Sequence, residues 1–135
     1  MTELRVGLSK RLEYVVKKDD SPRFLSEKGI GVLSTPRMIA LMETTAKNLL
    51  DETLDPSYTS VGYHVDVYHK APAPVGARIV FIATVKEVRG RRVVFEVRCM
   101  LGDTIIGEGI HERFIIPWEK FMEKVSMLRR LYKYG

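Results

Sequence analysis

Glu43 is an acidic residue at the edge of an apolar helix face. In the stretch VLSTPRMIALMETTAKNLL, residues 32–50, apolar side chains recur at helical spacing. That face carries Met38, Ile39, Met42, Ala46, Leu49 and Leu50. A carboxylate at its border must find a partner, take up a proton or reach water, because burial of an isolated charge is very costly. Glu43 is therefore a candidate acid, base or nucleophile. The alternative is a surface ion pair with Lys47, worth about 0.2–0.5 kcal/mol.

The histidines differ in their places on a predicted strand. Alternate residues of VGYHVDVYH point to opposite faces of a strand. One face carries His69 with Val61, Tyr63, Val65 and Val67. His69 ends that face near a rim, which suits a base that must meet water. The alternative is a hydrogen-bonded core histidine. His64 points the other way, to solvent or a subunit contact, and His111 has no assigned role.

Thr35 and Arg113 each have a structural interpretation that competes with chemistry. Thr35 can be the N-cap of the helix, with Pro36 at the first helical position. About 12 Å of helix separates Thr35 from Glu43, so their side chains should not bond unless a site is shared across a dimer. Arg113 either forms an ion pair with its neighbour Glu112 or contributes to a site.

The rest of the chain predicts an antiparallel sheet that holds these residues. Strands are expected at residues 8–16, 61–69, 77–88, 92–101 and 104–116, with a terminal helix from Pro117. Hairpin turns fall at Gly90 and Gly102, and Gly107 and Gly109 mark bulging or close approach. Residues 23–31 either form a packed connector or border a pocket. We therefore predict an α+β fold, a single domain over residues 1–135 with the sheet curled around the central helix. One helix cannot cover both faces and the edges, so we expect at least a dimer.

Composition limits the functional classes. The 22 Lys and Arg against 17 Asp and Glu give +5, which favours an anionic partner. The basic residues are scattered without interleaved aromatics or a reader motif, which argues against nucleic acid. One cysteine, Cys99, excludes an intrachain disulfide, and three widely spaced histidines argue against a metal site. No run of 18 apolar residues occurs, so we expect a soluble cytoplasmic protein with no membrane partner. High charge and the lack of glutamine favour a thermophilic source.

Three blocks in order resemble a known family. VLSTPRMIALME, TSVGYHVDVYHKAPAPVG and GEGIHERFII resemble the hotdog-fold thioesterases, most closely the fluoroacetyl-CoA thioesterase group, over about residues 30–116. The resemblance implies a hotdog dimer with active sites at the subunit interface. It also implies a catalytic set of Thr35, Glu43 and His69. Gly62 matches a glycine associated with the substrate carbonyl, and Arg113 matches an arginine near the site. Coenzyme A enters as part of the substrate, and no other cofactor is implied.

Hydrolysis of an acyl-CoA thioester suits these groups chemically. A thiolate with a pKa of about 8.5 leaves readily, so the site must chiefly supply a nucleophile and oxyanion stabilisation. Glu43 can activate water or attack directly, His69 can move the proton, and Thr35 can orient either partner. Backbone N–H groups at the helix start or of Gly62 are candidates for the oxyanion hole. Exposed Lys and Arg side chains can bind the phosphates of coenzyme A.

Two other functional classes remain open from the sequence. A hydratase would need an acid and a base, and Asp66 with His69 offers both. Their odd spacing places them on opposite strand faces, which argues against this reaction. A non-catalytic acyl-CoA-binding module is the second alternative.

Overall fold

A five-stranded antiparallel sheet wraps around one long helix. The structure, a computed structural model, describes residues 3–134. The strands are β1 Ser9–Val15, β2 Tyr58–His69, β3 Arg78–Arg89, β4 Arg92–Leu101 and β5 Thr104–Pro117. Their order in the sheet is β1-β3-β4-β5-β2, and every neighbouring pair is antiparallel. The predicted α+β architecture is confirmed, and β1 and β2 form the two edges of this sheet.

The described residues form three α-helices. They are the short α1 Arg23–Ser26, the central α2 Thr35–Thr53 and the terminal α3 Trp118–Leu131. None of the helices in the described part of the chain is both long and apolar enough to cross a membrane.

Helix α2 buries its apolar face against the sheet. The buried residues are Met38, Leu41, Met42, Thr45, Ala46, Leu49 and Leu50. Ile39, expected on this face, is only half-buried, while Leu41 and Thr45 are buried in addition. The Thr45 hydroxyl donates to the Leu41 carbonyl at 2.7 Å, which satisfies the one polar group in the stripe. Glu43 lies at the border of the stripe, as predicted, with its side chain 39% exposed.

The first turn of α2 differs from the prediction. Ser34, not Thr35, is the N-cap: its hydroxyl accepts from the Arg37 N–H at 3.2 Å, and its extended backbone precedes the helix. Thr35 is the first helical residue and Pro36 the second. Serine and threonine are both favoured caps, so the sequence Ser-Thr-Pro allowed either assignment. Because Ser34 caps the helix, the Thr35 hydroxyl is free for another partner.

Strand β4 supplies much of the core. Its inward residues Val93, Phe95, Val97 and Cys99 are fully buried, as the alternating pattern predicted. Burial raises the pKa of the Cys99 thiol to about 12, so the reactive thiolate is not populated at neutral pH. Cys99 is therefore an inert core residue.

Two glycines of β5 allow close packing. A Cβ at Gly107 would lie 2.4 Å from the Met38 sulfur, and one at Gly109 would lie 2.1 Å from the Asp66 carbonyl oxygen. The first contact sets how closely α2 approaches the sheet, and the second keeps β2 paired with β5. The predicted close approach at both glycines is confirmed.

Candidate functional site

The first cluster of polar side chains lies at the start of α2. Thr35 Oγ1 is 2.7 Å from His69 Nδ1, which joins the first residue of the helix to the last residue of β2. The other ring nitrogen, Nε2, is buried and has no hydrogen-bond partner within the described residues. Burial lowers the pKa of His69, so the imidazole is neutral at pH 7. A neutral ring held at one nitrogen and unpaired at the other can exchange a proton with a bound substrate.

A short, partly buried network holds the chain that leads into Thr35. The Asp20 carboxylate accepts from the Tyr14 hydroxyl and the Lys17 N–H, both at 2.7 Å, and from Arg37 Nε at 3.0 Å. Burial alone would raise the pKa of Asp20, but these hydrogen bonds outweigh it and lower the pKa. The carboxylate is thus ionised, and it ties the segment after β1 to the first turn of α2.

The second cluster surrounds Glu43, two turns further along the helix. Glu43 Oε1 lies 3.9 Å from His111 Nε2 and 4.0 Å from Arg113 Nη1. Arg113 Nε donates to the Ser60 hydroxyl and Nη2 to the Ser60 carbonyl, each at 2.9 Å. Arg113 is only 5% exposed, so its guanidinium is a fixed, nearly dry positive charge beside the carboxylate.

The competing surface pairs of Glu43 and Arg113 are not formed. Lys47 pairs with Asp51 at 2.7 Å rather than with Glu43. Glu112 pairs with Arg92 at 3.3 Å, because successive residues of β5 point to opposite faces, so Glu112 and Arg113 diverge. The ionic neighbours of Glu43 are therefore His111 and Arg113, which are buried on β5. The alternative considered from the helix sequence, a surface ion pair with Lys47, did not anticipate these neighbours.

A buried guanidinium needs compensation. Burial lowers the pKa of Arg113, while the charges of Glu43 and Asp51 oppose that shift. Arginine remains protonated in proteins, so the positive charge persists and favours an anion at the mouth of the cluster. Glu43 occupies that place.

The prediction assumed that alternate residues of β2 share one face along the whole strand, and in the structure they do not. Gly62 faces Glu43, since a Cβ there would lie 2.5 Å from Glu43 Oε1. His69 lies on the same side of the strand, although an odd sequence spacing should place it on the opposite face from Gly62. A shift in pairing with β5 between Gly62 and His64 accounts for the change. The extra residue reverses the alternation, so Tyr63 packs edge-on against Phe114 instead of sharing the face of His69. The predicted common face from Val61 to His69 is wrong for its first half.

An open cavity of about 370 Å³ borders Glu43. It is lined by Ala40, Glu43, Thr44, Lys47, Ser60, Val61, Gly62 and Arg113. Gly62 leaves room beside the carboxylate, and Lys47 lies at the rim, paired with Asp51. A small group can therefore reach Glu43 from solvent.

Within one chain, the predicted residues fall into two groups rather than one. Thr35 joins His69, while Glu43 joins Gly62 and Arg113. Among residues 3–134, no three His, Cys, Asp or Glu side chains lie close enough to hold a metal ion.

Two members of the Glu43 group were missed from the sequence. His111 is 1% exposed and Ser60 is 3% exposed, and both contact Arg113. One signal could have identified His111: it lies two residues before Arg113 and so shares its strand face. Ser60 carries no such signal, because its contact depends on the pairing of β2 with β5.

Comparison with known proteins places the fold in a family. Residues 16–119 match the model of the fluoroacetyl-CoA-specific thioesterase family. A fluoroacetyl-CoA thioesterase of Streptantibioticus cattleyicolor is 36% identical over 94 residues, which are 70% of this chain and 68% of that protein.

Solved structures give the same grouping. The structure of the fluoroacetyl-CoA thioesterase FlK superimposes with a TM-score of 0.84 at 31% identity, covering 93% of this chain and 98% of the other. A thioesterase superfamily member from Thermus thermophilus gives a TM-score of 0.87 at 26% identity with both chains fully covered. The hotdog fold expected from the sequence is confirmed.

Proposed function

Because the chain belongs to the family of fluoroacetyl-CoA-specific thioesterases, and is a thioester hydrolase, we propose that it cleaves a small acyl-CoA with Thr35, Glu43 and His69 as the catalytic set. The observation that carries the residue assignment is the 2.7 Å contact between Thr35 and His69 beside an unpaired, buried Nε2. A cavity open to a half-exposed carboxylate at Glu43 supports it.

Glu43 acts on the thioester carbonyl carbon. In one route the carboxylate removes a proton from water, which attacks the carbon; in the other the carboxylate attacks and the resulting anhydride is hydrolysed by water. In both routes the C–S bond breaks and coenzyme A leaves as a thiolate, and the neutral His69 relays to its sulfur the proton that the attacking water gives up. Arg113 holds the carboxylate in place, and backbone N–H groups at the start of α2 or of Gly62 stabilise the oxyanion.

In a homodimer, the Thr35–His69 pair of one copy and the Glu43 cluster of the other can form one active site. Eight residues of α2, about 12 Å of helix, separate Thr35 from Glu43. Gly62 and His69 are about 23 Å apart along an extended strand. Such separations do not let one carbonyl touch both groups within a single chain. The active site is therefore shared between two copies.

The edge strand β2 offers the surface for that pairing. Within residues 3–134 it has β5 on one side and no strand on the other. Its residues Tyr63, Val65 and Tyr68 are exposed. A second copy that pairs antiparallel about residue 66, with Tyr63 as the extra residue of each strand, would place His69 of the partner subunit opposite Gly62. Each Glu43 would then meet the threonine and histidine of the other copy.

Coenzyme A binds through exposed basic side chains near the cavity. The net charge of +5 favours its phosphates. Affinity for coenzyme A should fall as salt is raised, since exposed charges are screened. Binding that is indifferent to ionic strength would exclude this contribution.

Release of free thiol from a panel of acyl-CoA esters of increasing chain length tests the proposed activity. We expect turnover, fastest with the short acyl groups. Binding without thiol release would instead identify a non-catalytic acyl-CoA-binding protein.

Mixing two inactive variants tests the shared site. In a dimer of Glu43→Gln with His69→Ala, both defects fall in one site and the other site is intact. Random exchange of subunits should restore about a quarter of the parental activity, because half of the dimers are mixed and each has one intact site. No recovery after exchange would show that each chain carries its own complete site.

A further inference from the structure

His111 is a buried histidine that the catalytic set does not use. It lies on β5 beneath Glu43, with Phe95 paired to it on β4. The charged groups that act on it are Arg113 and Glu112 on its own strand and Glu43 on α2. Strand β2 contributes the main-chain carbonyl of His64.

The partners of His111 allow only one proton arrangement. Nδ1 lies 2.9 Å from the His64 carbonyl oxygen, which can only accept, so Nδ1 carries the proton and donates. Nε2 lies 3.2 Å from Arg113 Nη1, which can only donate, so Nε2 is bare and accepts. A second proton on the ring would set two donors against each other. The ring is therefore neutral and in a single tautomer.

The shift in β2 pairing is part of this arrangement. It lies between Gly62 and His64, so it brings both the glycine beside Glu43 and the carbonyl that accepts from His111 into the cluster. In a regular strand without the extra residue, either Gly62 or His64 would have the opposite orientation in the sheet from the one observed.

The bond from Arg113 to His111 fixes the end of the guanidinium that faces Glu43. Ser60 takes Nε and Nη2, and His111 takes one hydrogen of Nη1. The second hydrogen of Nη1 remains for Glu43, 4.0 Å away. Without an acceptor at His111 Nε2, the end of the guanidinium that faces Glu43 loses its anchor.

We propose that His111 is a positioning residue of the thioesterase site: as a neutral acceptor fixed by the His64 carbonyl, it holds Arg113 against Glu43 and so aims the reacting carboxylate. This inference rests on the proposed function of Glu43. His111 itself touches no substrate.

Two substitutions separate its two hydrogen bonds. In His111→Gln the amide oxygen can take the place of Nε2 and accept from Arg113, whereas in His111→Asn the amide nitrogen takes the place of Nδ1 and Arg113 loses its acceptor. Both remove the ring, so a purely structural role predicts similar losses. We expect His111→Asn to lower kcat about 10-fold or more with little change in KM, and His111→Gln to stay within about 3-fold of the parent. Equal kcat values in the two variants would overturn the inference.

The same pair in a Glu43→Gln background separates this inference from the proposed function. If His111 acts through Glu43, the Asn and Gln variants become equal there. If Glu43→Gln loses its activity while His111→Asn and His111→Gln do not differ, the role of His111 is wrong and the role of Glu43 stands. An active Glu43→Gln removes the proposed catalytic role of Glu43, on which this inference rests.

Nitrogen-15 NMR of the parent protein tests the tautomer without any substitution. We expect a protonated Nδ1 and a bare Nε2 at His111 from pH 7.5 to 6.5. A protonated Nε2 or a cationic ring in that range would overturn the inference.

Discussion

Thr35 Oγ1 and His69 Nδ1 lie 2.7 Å apart, although 34 residues separate them in the chain. The contact exists because Ser34 takes the capping role that either residue could fill, which leaves the Thr35 hydroxyl to orient the imidazole.

This division of roles predicts opposite effects at adjacent positions. Thr35→Val keeps the side-chain shape but removes the hydroxyl, so kcat should fall about 10-fold or more with little loss of stability. Ser34→Ala removes the cap and should cost about 1 kcal/mol of unfolding free energy while activity persists. Steady-state rates and denaturant melts on both variants check this. A Thr35→Val protein that melts low but turns over normally would return Thr35 to a structural role.

His69 and His64 should differ in their importance to turnover. His69 contacts Thr35 beneath the first turn of α2, whereas the His64 ring is exposed and only its main-chain carbonyl is used. We expect His69→Ala to reduce kcat about 100-fold and His64→Ala to leave it within about 3-fold. Comparable losses in the two variants would contradict the assignment.

Gly62 should be required for activity more than for folding. A Cβ there would lie 2.5 Å from Glu43 Oε1, the end of a flexible side chain that can move away. Gly62→Ala should therefore lower kcat about 10-fold with a small change in stability. In the matched control Gly109→Ala, the Cβ would meet the Asp66 carbonyl at 2.1 Å, and rigid backbone should make the loss one of stability, about 2 kcal/mol or more. A normal rate in Gly62→Ala would show that the Glu43 carboxylate need not stay in place.

Acid should destabilise the fold through its buried histidines. Burial lowers the pKa of His69 and of His111 from the ordinary value of 6.5. The unfolded chain then binds more protons than the folded one below pH 6.5, so stability is full above that pH and is lost as the pH falls through the lowered values. Melting temperatures at pH 7.5 and 5.5 measure this. The drop should be smaller in His111→Gln; a parent protein that melts at the same temperature at both pH values would contradict it.

Much of the fold could be predicted from sequence periodicity. The helical spacing from Met38 to Leu50 and the alternation in β4 each follow from burying one face of a regular element. Glu43 stood out for the same reason, as a charge at the edge of an apolar face. These signals are local, so they can be recognised without knowing which segments of the chain pack against each other.

The remaining features depend on contacts between distant segments. The shift in β2 pairing after Gly62 inserts one residue into the alternation, and the sequence does not mark which residue is extra. Arg113 looked like a strand-end charge, yet it is buried because Ser60 and His111 meet it from two strands. Each of these follows from register, which is decided by the whole sheet.

The central claim is that Glu43 is the reacting carboxylate, and Glu43→Gln tests it most directly. The change keeps the size of the side chain and removes its charge, its basicity and most of its nucleophilicity. With the acyl-CoA ester that the parent hydrolyses fastest, kcat should fall about 100-fold or more, the scale of losing an acid–base group, while the melting temperature stays near that of the parent. A variant that melts like the parent and releases thiol at a rate within a few-fold of it would contradict the account.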